Sequence, residues 1–390
     1  SWADQSLLWR TREALATRPG LVRLADVWSL RNQLAEVAKG RANLIQAGDC
    51  AEDPAECTPE HVRRKVTLLT SLADDLAERS QRPVLRVGRI AGQFSKPRTS
   101  PIERVGNLEL PVYRGHMVNG PEPDVHSRRP DPQRMLRCYD SASETMRHLG
   151  WLGPQPPVGL SQRVWTSHEA LLLDYEIPML RRDERDELML ASTHWPWIGE
   201  RTRQPDGEHV ALLSQVANPV ACKVGPRTSR NDLLELAERL DPDREPGRLT
   251  LISRMGADNV TRALPALVAA MREGGFPVIW LCDPMHGNSV TLANGVKTRF
   301  IATLVRELEL FQDVLAATGG VAGGLHLETT PDEVSECVSL DCPVERIHED
   351  YTSLCDPRLN PRQAAEVVSA WRSPRQRTRP TELGNGAGRP

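Results

Sequence analysis

Short apolar runs recur along the chain, and each ends in polar or charged residues before a stretch of helical periodicity begins. In the run at 277–283, five apolar or near-apolar residues lead into Asp283 and Pro284, which stop a strand, and His286 follows. Eight runs have this form, at 42–50, 83–92, 163–169, 192–201, 220–226, 248–256, 277–283 and 323–328. Each is predicted to be a buried strand that directs a polar side chain from its carboxyl end.

Stretches with helical periodicity separate these strands. They lie at 59–80, 131–149, 207–217, 231–240, 259–273, 289–317, 332–338 and 361–371, and a further one extends to about Met189. Alternating units predict an α/β protein with a parallel sheet, and eight of them predict closure into a (β/α)8 TIM barrel. An open doubly wound sheet is the structural alternative, although the chain has neither a GxGxxG sequence opening a helix nor a GxxxxGK[ST] phosphate loop.

Three segments follow from this pattern. Residues 1–40 are predicted to form an N-terminal helical arm, 41–360 the catalytic barrel, and 361–390 a C-terminal helix with a disordered tail rich in Arg, Pro and Gly. A long polar insertion at 93–129 follows the second strand. Loops of this length inside a domain are usually functional or disordered.

Composition narrows the class of protein. With 39% hydrophobic and 26% charged residues, the chain is typical of a soluble globular protein, and its net charge of -3 provides no general attraction for nucleic acid. No apolar run approaches the length that spans a bilayer, and the first residues do not form a signal peptide. Eight cysteines without a CxxC pair favour a reduced compartment. We therefore expect a cytoplasmic protein without membrane or nucleic-acid partners.

The residues at the strand ends are unusually charged. They are Cys50, Arg89, Glu169, Glu200, Arg201, Lys223, Arg254, His286 and Glu328. In a barrel these ends converge on one face, where active sites are built. A salt bridge at the rim would explain any one of them, but the set as a whole predicts a site.

The set divides by chemistry. Cys50, His286 and Glu328, with Asp356 after the last strand, offer donors that suit Mn, Co, Fe or Zn. The cations form the second group, namely Arg89, Arg201, Lys223 and Arg254, with Lys96 and Arg98 in the adjacent loop. Phosphate and carboxylate groups are their natural partners. A metal beside such cations predicts a phosphorylated, carboxylated substrate and a carbonyl partner that the metal polarises.

Seven stretches resemble type II (plant-type) 3-deoxy-D-arabino-heptulosonate 7-phosphate (DAHP) synthases, and the resemblance runs from about residue 20 to about 372. They are QAGDCAE at 46–52, VGRIAGQFSKPR at 87–98, TSHE at 166–169, WIGERTRQ at 197–204, KVGP at 223–226, MHGN at 285–288 and GLHLE at 324–328. The family condenses phosphoenolpyruvate with erythrose 4-phosphate on a metal-dependent barrel. The resemblance implies a divalent metal, with manganese favoured, and a homodimer.

The resemblance also assigns roles to residues. It implies that Cys50, His286, Glu328 and Asp356 hold the metal, and that phosphoenolpyruvate binds to Arg89, Glu200, Arg201, Lys223 and Arg254. The aldose phosphate is expected near Lys96, Pro97, Arg98, Thr99 and His116. Catalysis is assigned to Lys223, Arg201, Glu200 and His286, where Lys223 either transfers a proton or only pairs with phosphoenolpyruvate.

Some positions depart from the family pattern. His116 stands where Asp is usual, Thr99 replaces Ser, and the WPW sequence at 195–197 is bulkier and stiffer than the usual pattern before Ile-Gly-Glu-Arg. Two alternatives to DAHP synthesis therefore remain: a relative that joins phosphoenolpyruvate to another acceptor, such as an amino sugar phosphate, and a catalytically silent regulatory barrel. Between the second and third strands the chain has no room for the additional helical pair that carries feedback inhibition in aromatic-regulated members of the family. The resemblance therefore implies weak or absent inhibition by Phe, Tyr or Trp, as suits a natural-product pathway.

Cys355 directly precedes the candidate ligand Asp356, and Cys50 is itself a candidate ligand. After loss of the metal, the two thiols are expected to be able to form a disulfide that inactivates the enzyme. The alternative is that Cys355 is a packed bystander.

Overall fold

Eight parallel strands close into a barrel in the computed structural model of the protein, which describes residues 2–98, 100–106, 108–153, 163–347 and 349–373. The barrel strands are β1 (Asn43–Gly48), β2 (Val84–Arg89), β5 (Trp165–Glu169), β8 (Trp195–Ile198), β9 (Val220–Val224), β10 (Leu249–Ser253), β11 (Ile279–Cys282) and β14 (Ala322–Glu328). They follow one another around the barrel in chain order, and β1 lies between β2 and β14. The predicted (β/α)8 barrel is confirmed, and the open sheet is excluded.

The closure of the barrel brings two charged strand ends to the same level. Gly48 at the end of β1 is in register with Arg89 on one side and with Glu328 on the other. Gly48 has a φ of 149°, and a Cβ at this position would lie 2.7 Å from the carbonyl oxygen of Arg89. A side chain here would therefore disturb the contact between the neighbouring strand ends.

The helices agree with the periodicity of the sequence over most of the chain. They are α1 (Gln5–Ala16), α2 (Leu24–Ala38), α3 (Pro59–Ser80), α4 (Arg134–His148), α5 (Leu173–Glu176), α6 (Glu208–Ser214), α7 (Arg230–Leu240), α8 (Val260–Glu273), α9 (Ile301–Thr318) and α10 (Pro361–Ser369). Buried Leu30, Leu34 and Val37 face the core from α2. Among the described residues, no helix is long and apolar enough to cross a membrane.

Three predicted helical stretches are wrong, two of them over most of their length and the one at 289–317 only over its first part. Before Met189 the chain forms only the short α5, a 3-10 turn and a hairpin of β6 (Leu180–Arg182) and β7 (Leu188–Leu190). The stretch at 289–317 begins with a second hairpin, β12 (Val290–Thr291) and β13 (Lys297–Thr298), and only then enters α9. The turn of this hairpin contains Gly295 with a φ of 87°, a conformation that ends a helix.

The third wrong helix is 332–338, where the chain has no helix and Val338 instead bridges to Phe300. The long insertion after β2 contains a hairpin of β3 (Ile102–Val105) and β4 (Leu108–Pro111). The buried side chain of Asn119 helps to hold this insertion together, since it donates to the carbonyl oxygens of Val112 and Arg128. The predicted disordered tail lies outside the described residues from 374 onward.

A buried histidine in the wall of the barrel predicts a pH dependence of stability. His194 Nδ1 accepts hydrogen bonds from the backbone N and the hydroxyl of Thr166, which requires a neutral ring. Burial, with smaller contributions from Arg163 and Arg23, lowers the pKa of His194 from 6.5 to about 3. The unfolded chain therefore takes up a proton below pH 6.5 that the folded protein does not, and stability falls as the pH decreases from 6.5 towards 3.

We expect this site to cost roughly 2 kcal/mol of unfolding free energy between pH 6.5 and 5, since each pH unit is worth about 1.4 kcal/mol. Denaturant unfolding at pH 7.5 and pH 5 checks this. His194→Gln should be less stable than the wild type at pH 7.5, and the difference should shrink at pH 5. The exposed His126→Gln serves as a control that should follow the wild type. A difference between wild type and His194→Gln that stays constant with pH would contradict the prediction.

Candidate active site

A cavity of about 370 Å³ opens at the carboxyl ends of the barrel strands. Ten of the predicted site residues line it: Arg89, Lys96, Pro97, Arg98, Glu200, Arg201, Lys223, Arg254, His286 and Asp356. Cationic side chains dominate its wall, as expected for a site that receives phosphate and carboxylate groups.

Glu328 is the carboxylate at the base of this site. Its side chain is fully buried at the end of β14, and three cations contact it: Arg89 at 3.0 Å, Lys96 at 3.0 Å and Arg299 at 2.9 Å. Burial opposes ionisation, but the positive charges of His286, Lys96, Arg299 and Arg89 hold the pKa of Glu328 well below its ordinary value. The group is therefore a carboxylate that binds cations.

Three of the four predicted metal ligands come together. His286 Nε2 lies 3.2 Å from Glu328 Oε1, and donor atoms of His286, Glu328 and Asp356 all lie within 4.8 Å of one another. The ammonium of Lys96 contacts both carboxylates, at 3.0 Å from Glu328 and 3.2 Å from Asp356. Positive charge is thus accommodated between these groups, and an imidazole with two carboxylates suits a divalent transition metal.

Cys50, the fourth predicted ligand, lies apart from this group. Its thiol is close to Ser353, with Sγ 3.5 Å from the hydroxyl oxygen, and it shares a hydrogen bond with Cys355. That hydrogen bond lowers the pKa of Cys50 from 9.0 to about 7 against the opposing effect of burial. The thiol would have to move to join the other three donors.

A second group of donors, Asp283, His286 and His326, also lies within 4.8 Å. His326 cannot supply a ligand in this arrangement because both ring nitrogens are used. Its Nε2 accepts from Arg89 at 2.6 Å, and its Nδ1 donates to Gln46 at 2.5 Å. Burial lowers the pKa of His326 well below the ordinary value, which keeps the ring neutral. The metal-type group is therefore the one with Glu328 and Asp356.

Arg89 is strongly committed within the protein. Its guanidinium donates to the carbonyl oxygen of Asp49, to His326 and to Glu328, and it lies over the ring of Trp197 with 5.2 Å to the centroid. Its role in binding phosphoenolpyruvate stays a prediction. Here it positions the carboxylate and closes the base of the cavity.

Lys223, Arg254, Glu200 and Arg201 also line the cavity. Burial lowers the pKa of Lys223 from 10.5 to about 8, although its ammonium is 2.8 Å from Asp283. Glu200 is held by Arg203 at 3.2 Å, and its second oxygen is buried without a hydrogen-bond partner within the described part of the chain. Because Glu200 lines the cavity, this oxygen is available to accept a hydrogen bond from a ligand.

The predicted acceptor residues are only partly brought together. Pro97 and Arg98 line the cavity, and the carbonyl oxygen of Pro97 accepts from Arg201 at 3.3 Å. Thr99 lies outside the described residues. His116 does not line the cavity: its ring packs edge-on to Tyr113, and its Nε2 is 4.0 Å from Asp53. Trp195 is fully buried away from the cavity, whereas Trp197 lines it.

Sequence reasoning missed the residues that hold the loops in place. Glu52 is buried and accepts from the backbone N of Ala91, Gly92 and Gln93, which fixes the start of the loop that carries Lys96. Glu52 is part of the QAGDCAE stretch that resembles the family, and this position could have indicated that it has a role near the site.

Glu336 does the same for the loop that carries Asp356. It accepts from the backbone N of Ser353 and Arg358, and Arg358 also binds Asp49 at 2.9 Å. Because residues 332–338 were wrongly predicted to form a helix, this role of Glu336 was not predicted.

The paired thiols lead to a prediction about oxidation. All eight cysteines are free, and Cys50 and Cys355 are hydrogen-bonded to each other. We expect mild oxidation of metal-free protein to remove two titratable thiols per chain, and bound metal to prevent this. Thiol counting with and without reductant measures it, with Cys355→Ser as the variant that should lose the effect and the buried Cys222→Ser as the control that should keep it. An unchanged thiol count in oxidised wild type rules the disulfide out.

Comparisons with known proteins identify the family. The sequence matches the class-II DAHP synthetase family over residues 1–153 and 155–370. It is 54% identical over 373 residues to a Pseudomonas fluorescens protein named "Probable phospho-2-dehydro-3-deoxyheptonate aldolase", covering 95% of this chain and 93% of that one. A phospho-2-dehydro-3-deoxyheptonate aldolase of Streptomyces coelicolor is 38% identical over 402 residues, covering 91% of this chain and 89% of the relative.

A solved structure shows the same fold. The phospho-2-dehydro-3-deoxyheptonate aldolase of Francisella tularensis superposes with a TM-score of 0.54 at 14% identity, covering 89% of this chain and 92% of that one. At this identity the likeness concerns the fold alone. The family match covers nearly the whole described barrel, and the two relatives are similar over most of their length. This chain therefore belongs to the class-II DAHP synthetase family.

Proposed function

We propose that this protein condenses phosphoenolpyruvate with erythrose 4-phosphate to DAHP and phosphate, in the presence of a divalent metal of which manganese is favoured. The observation that carries the proposal is the buried carboxylate Glu328, with His286 and Asp356, at the base of a cavity lined by cations. Family membership and the names of the relatives support the same reaction.

The cationic wall would bind phosphoenolpyruvate. Arg254 donates to the carbonyl oxygen of His286 at 3.0 Å, which leaves further guanidinium N–H groups for a phosphate or carboxylate. Arg201 and Lys223 would add charge, and the unpartnered oxygen of Glu200 would accept a hydrogen bond from the substrate or from a water. These groups would orient C3 of phosphoenolpyruvate towards the acceptor.

His286, Glu328 and Asp356, joined by Cys50 after a movement of its thiol, would hold the metal. When bound, the metal supplies Lewis-acid polarisation of the aldehyde oxygen. C3 of phosphoenolpyruvate would form a bond to the aldehyde carbon as the carbonyl π bond breaks, and the aldehyde oxygen would take up a proton. Positive charge would develop at C2, where water would add and lose a proton, and phosphate would leave by cleavage of the C–O bond. Lys223 Nζ lies 3.2 Å from His286 Nδ1. Lys223, which is proposed to bind phosphoenolpyruvate, is therefore also next to a proposed metal ligand.

The alternative acceptor loses part of its support. Of the departures from the family pattern that suggested it, His116 and Trp195 do not line the cavity. A conventional aldose phosphate is therefore the acceptor that we propose. The silent regulatory barrel is disfavoured because the charged residues of the cavity wall are all in place.

Phosphate release from phosphoenolpyruvate tests the function. Metal-loaded enzyme is expected to release phosphate only when erythrose 4-phosphate is present, and mass analysis should find the seven-carbon product. Treatment with a chelator should stop the reaction, and Mn²⁺ should restore it. If the enzyme binds phosphoenolpyruvate and metal but is inactive with erythrose 4-phosphate, erythrose 4-phosphate is not the acceptor, and the enzyme uses another one.

Three further features belong to the proposal. We infer a homodimer, a cytoplasmic location and a role in a natural-product pathway. The resemblance to the family supports the homodimer, and the composition supports the cytoplasmic location. The expected weak feedback inhibition supports the role in a natural-product pathway. Light scattering of the purified protein would test the dimer directly.

A further inference from the structure

Asp283 is a fully buried carboxylate that contacts both Lys223 and His286, two residues that line the cavity. It follows β11 directly and has no solvent exposure. One of its oxygens, Oδ2, lies 2.8 Å from Lys223 Nζ and 2.8 Å from His286 Nδ1. The other, Oδ1, accepts from the backbone N of Met285 at 3.1 Å and of His286 at 3.2 Å.

These contacts establish that Nδ1 of His286 carries a proton. Nδ1 lies against a carboxylate and within 3.2 Å of an ammonium, which has no lone pair to offer. Nδ1 must therefore be the N–H that donates to Asp283, and Nε2 is the nitrogen that faces Glu328 at 3.2 Å. A carboxylate that orients a metal-binding histidine in this way raises its basicity and fixes its ring.

From this geometry we infer that Asp283 is a positioning residue, which holds the His286 ring so that Nε2 faces the metal and which is itself held in place by Lys223. The inference rests on the proposed function, because it takes His286 as a metal ligand. It does not depend on the identity of the acceptor. Replacement of Asp283 should therefore act on metal binding, and it should act only through His286.

The test is the affinity for Mn²⁺ in the absence of substrates, measured by chelator competition. Asp283→Asn keeps the size of the side chain but removes its charge and turns one acceptor into a donor, so it should weaken Mn²⁺ binding by about 10- to 100-fold. Glu176→Gln is a matched control. It removes the charge of another buried carboxylate, which contacts His168 at 2.8 Å and Ser192 at 2.6 Å, and it should leave Mn²⁺ affinity unchanged.

A double-mutant cycle separates positioning from general damage. His286→Ala alone should weaken Mn²⁺ binding strongly. If Asp283 acts through His286, adding Asp283→Asn to His286→Ala should change the affinity by less than about threefold, whereas independent effects would multiply. Full additivity, or an Asp283→Asn affinity equal to that of the wild type, overturns the inference.

A measurement on the wild type covers the case in which Asp283→Asn does not fold. In protein loaded with Zn²⁺ and labelled with ¹⁵N-histidine, the His286 signal, assigned by its loss in His286→Ala, should show a protonated Nδ1 and a metal-bound Nε2. Coordination through Nδ1 would overturn the inference. Wild-type protein that binds neither Mn²⁺ nor Zn²⁺ would instead refute the metal part of the proposed function.

Discussion

Replacing Glu328 by Gln is expected to cost about 3–5 kcal/mol of unfolding free energy in the metal-free protein and to abolish metal binding. The carboxylate pairs with Arg89, Lys96 and Arg299, which are all buried. An amide offers these cations no negative charge, and its NH2 group would face at least one of them. Breaking a buried ion pair from one side is costly because an unpaired charge stays in the interior.

Denaturant unfolding of metal-free Glu328→Gln and its Mn²⁺ affinity would measure both effects. The matched control is Glu273→Gln, which removes an exposed carboxylate paired with Arg230 and should cost no more than about 1 kcal/mol. If Glu328→Gln were as stable as Glu273→Gln, the cations would have to be neutralised in some other way, and Glu328 would not be the electrostatic centre of the site.

Replacing Lys223 by Met is expected to lower turnover by about 10²- to 10⁴-fold or more while the metal still binds. Lys223 lies against Asp283 and over the ring of Trp197, with 6.0 Å to the centroid, so its ammonium faces the cavity from a fixed position. Because burial lowers its pKa to about 8, the group is able to give up and regain a proton near neutral pH. Methionine preserves the length of the side chain and removes this capacity.

Steady-state rates and Mn²⁺ binding of Lys223→Met give the result, with the exposed Lys39→Met as a control that should behave like the wild type. Lys223→Arg distinguishes the two roles of this residue, since Arg keeps the charge but does not release its proton. Activity retained in Lys223→Arg would favour simple pairing with phosphoenolpyruvate. A near-normal rate in Lys223→Met would remove the residue from the mechanism.

The barrel and most of its charged wall could be predicted from sequence because parallel strands need nearly continuous apolar runs and place their carboxyl ends on one face. Arg254, His286 and Glu328 were found in this way, and the structure brings their side chains or backbone groups together. Such a pattern gives the strand and its end but not the distance between side chains. It therefore did not reveal that Cys50 lies apart from the other three donors, although the position of Cys355 next to Asp356 had suggested that the two thiols approach each other in the absence of metal.

The residues that were missed are those whose partners are distant in sequence or whose local pattern has a simpler explanation. Asp283 looks like a strand terminator because Pro284 follows it, yet it contacts Lys223, 60 residues away. His116 was given a place in the site by its loop, but its ring packs against Tyr113 instead. Hairpins at 180–190 and 290–298 were read as helix because short hairpins carry little periodicity of their own.

The position of β1 between β2 and β14 has a consequence for how the protein is made. Arg89 and Glu328 meet at the end of β1, and Arg358 binds Asp49 across 309 residues of sequence. During translation, none of these contacts exists until the chain is almost complete. A nascent chain would hold its first two strands, with one sheet edge unpaired, for most of its synthesis. Ribosome-bound chains that stop short of residue 328 should therefore need chaperone protection.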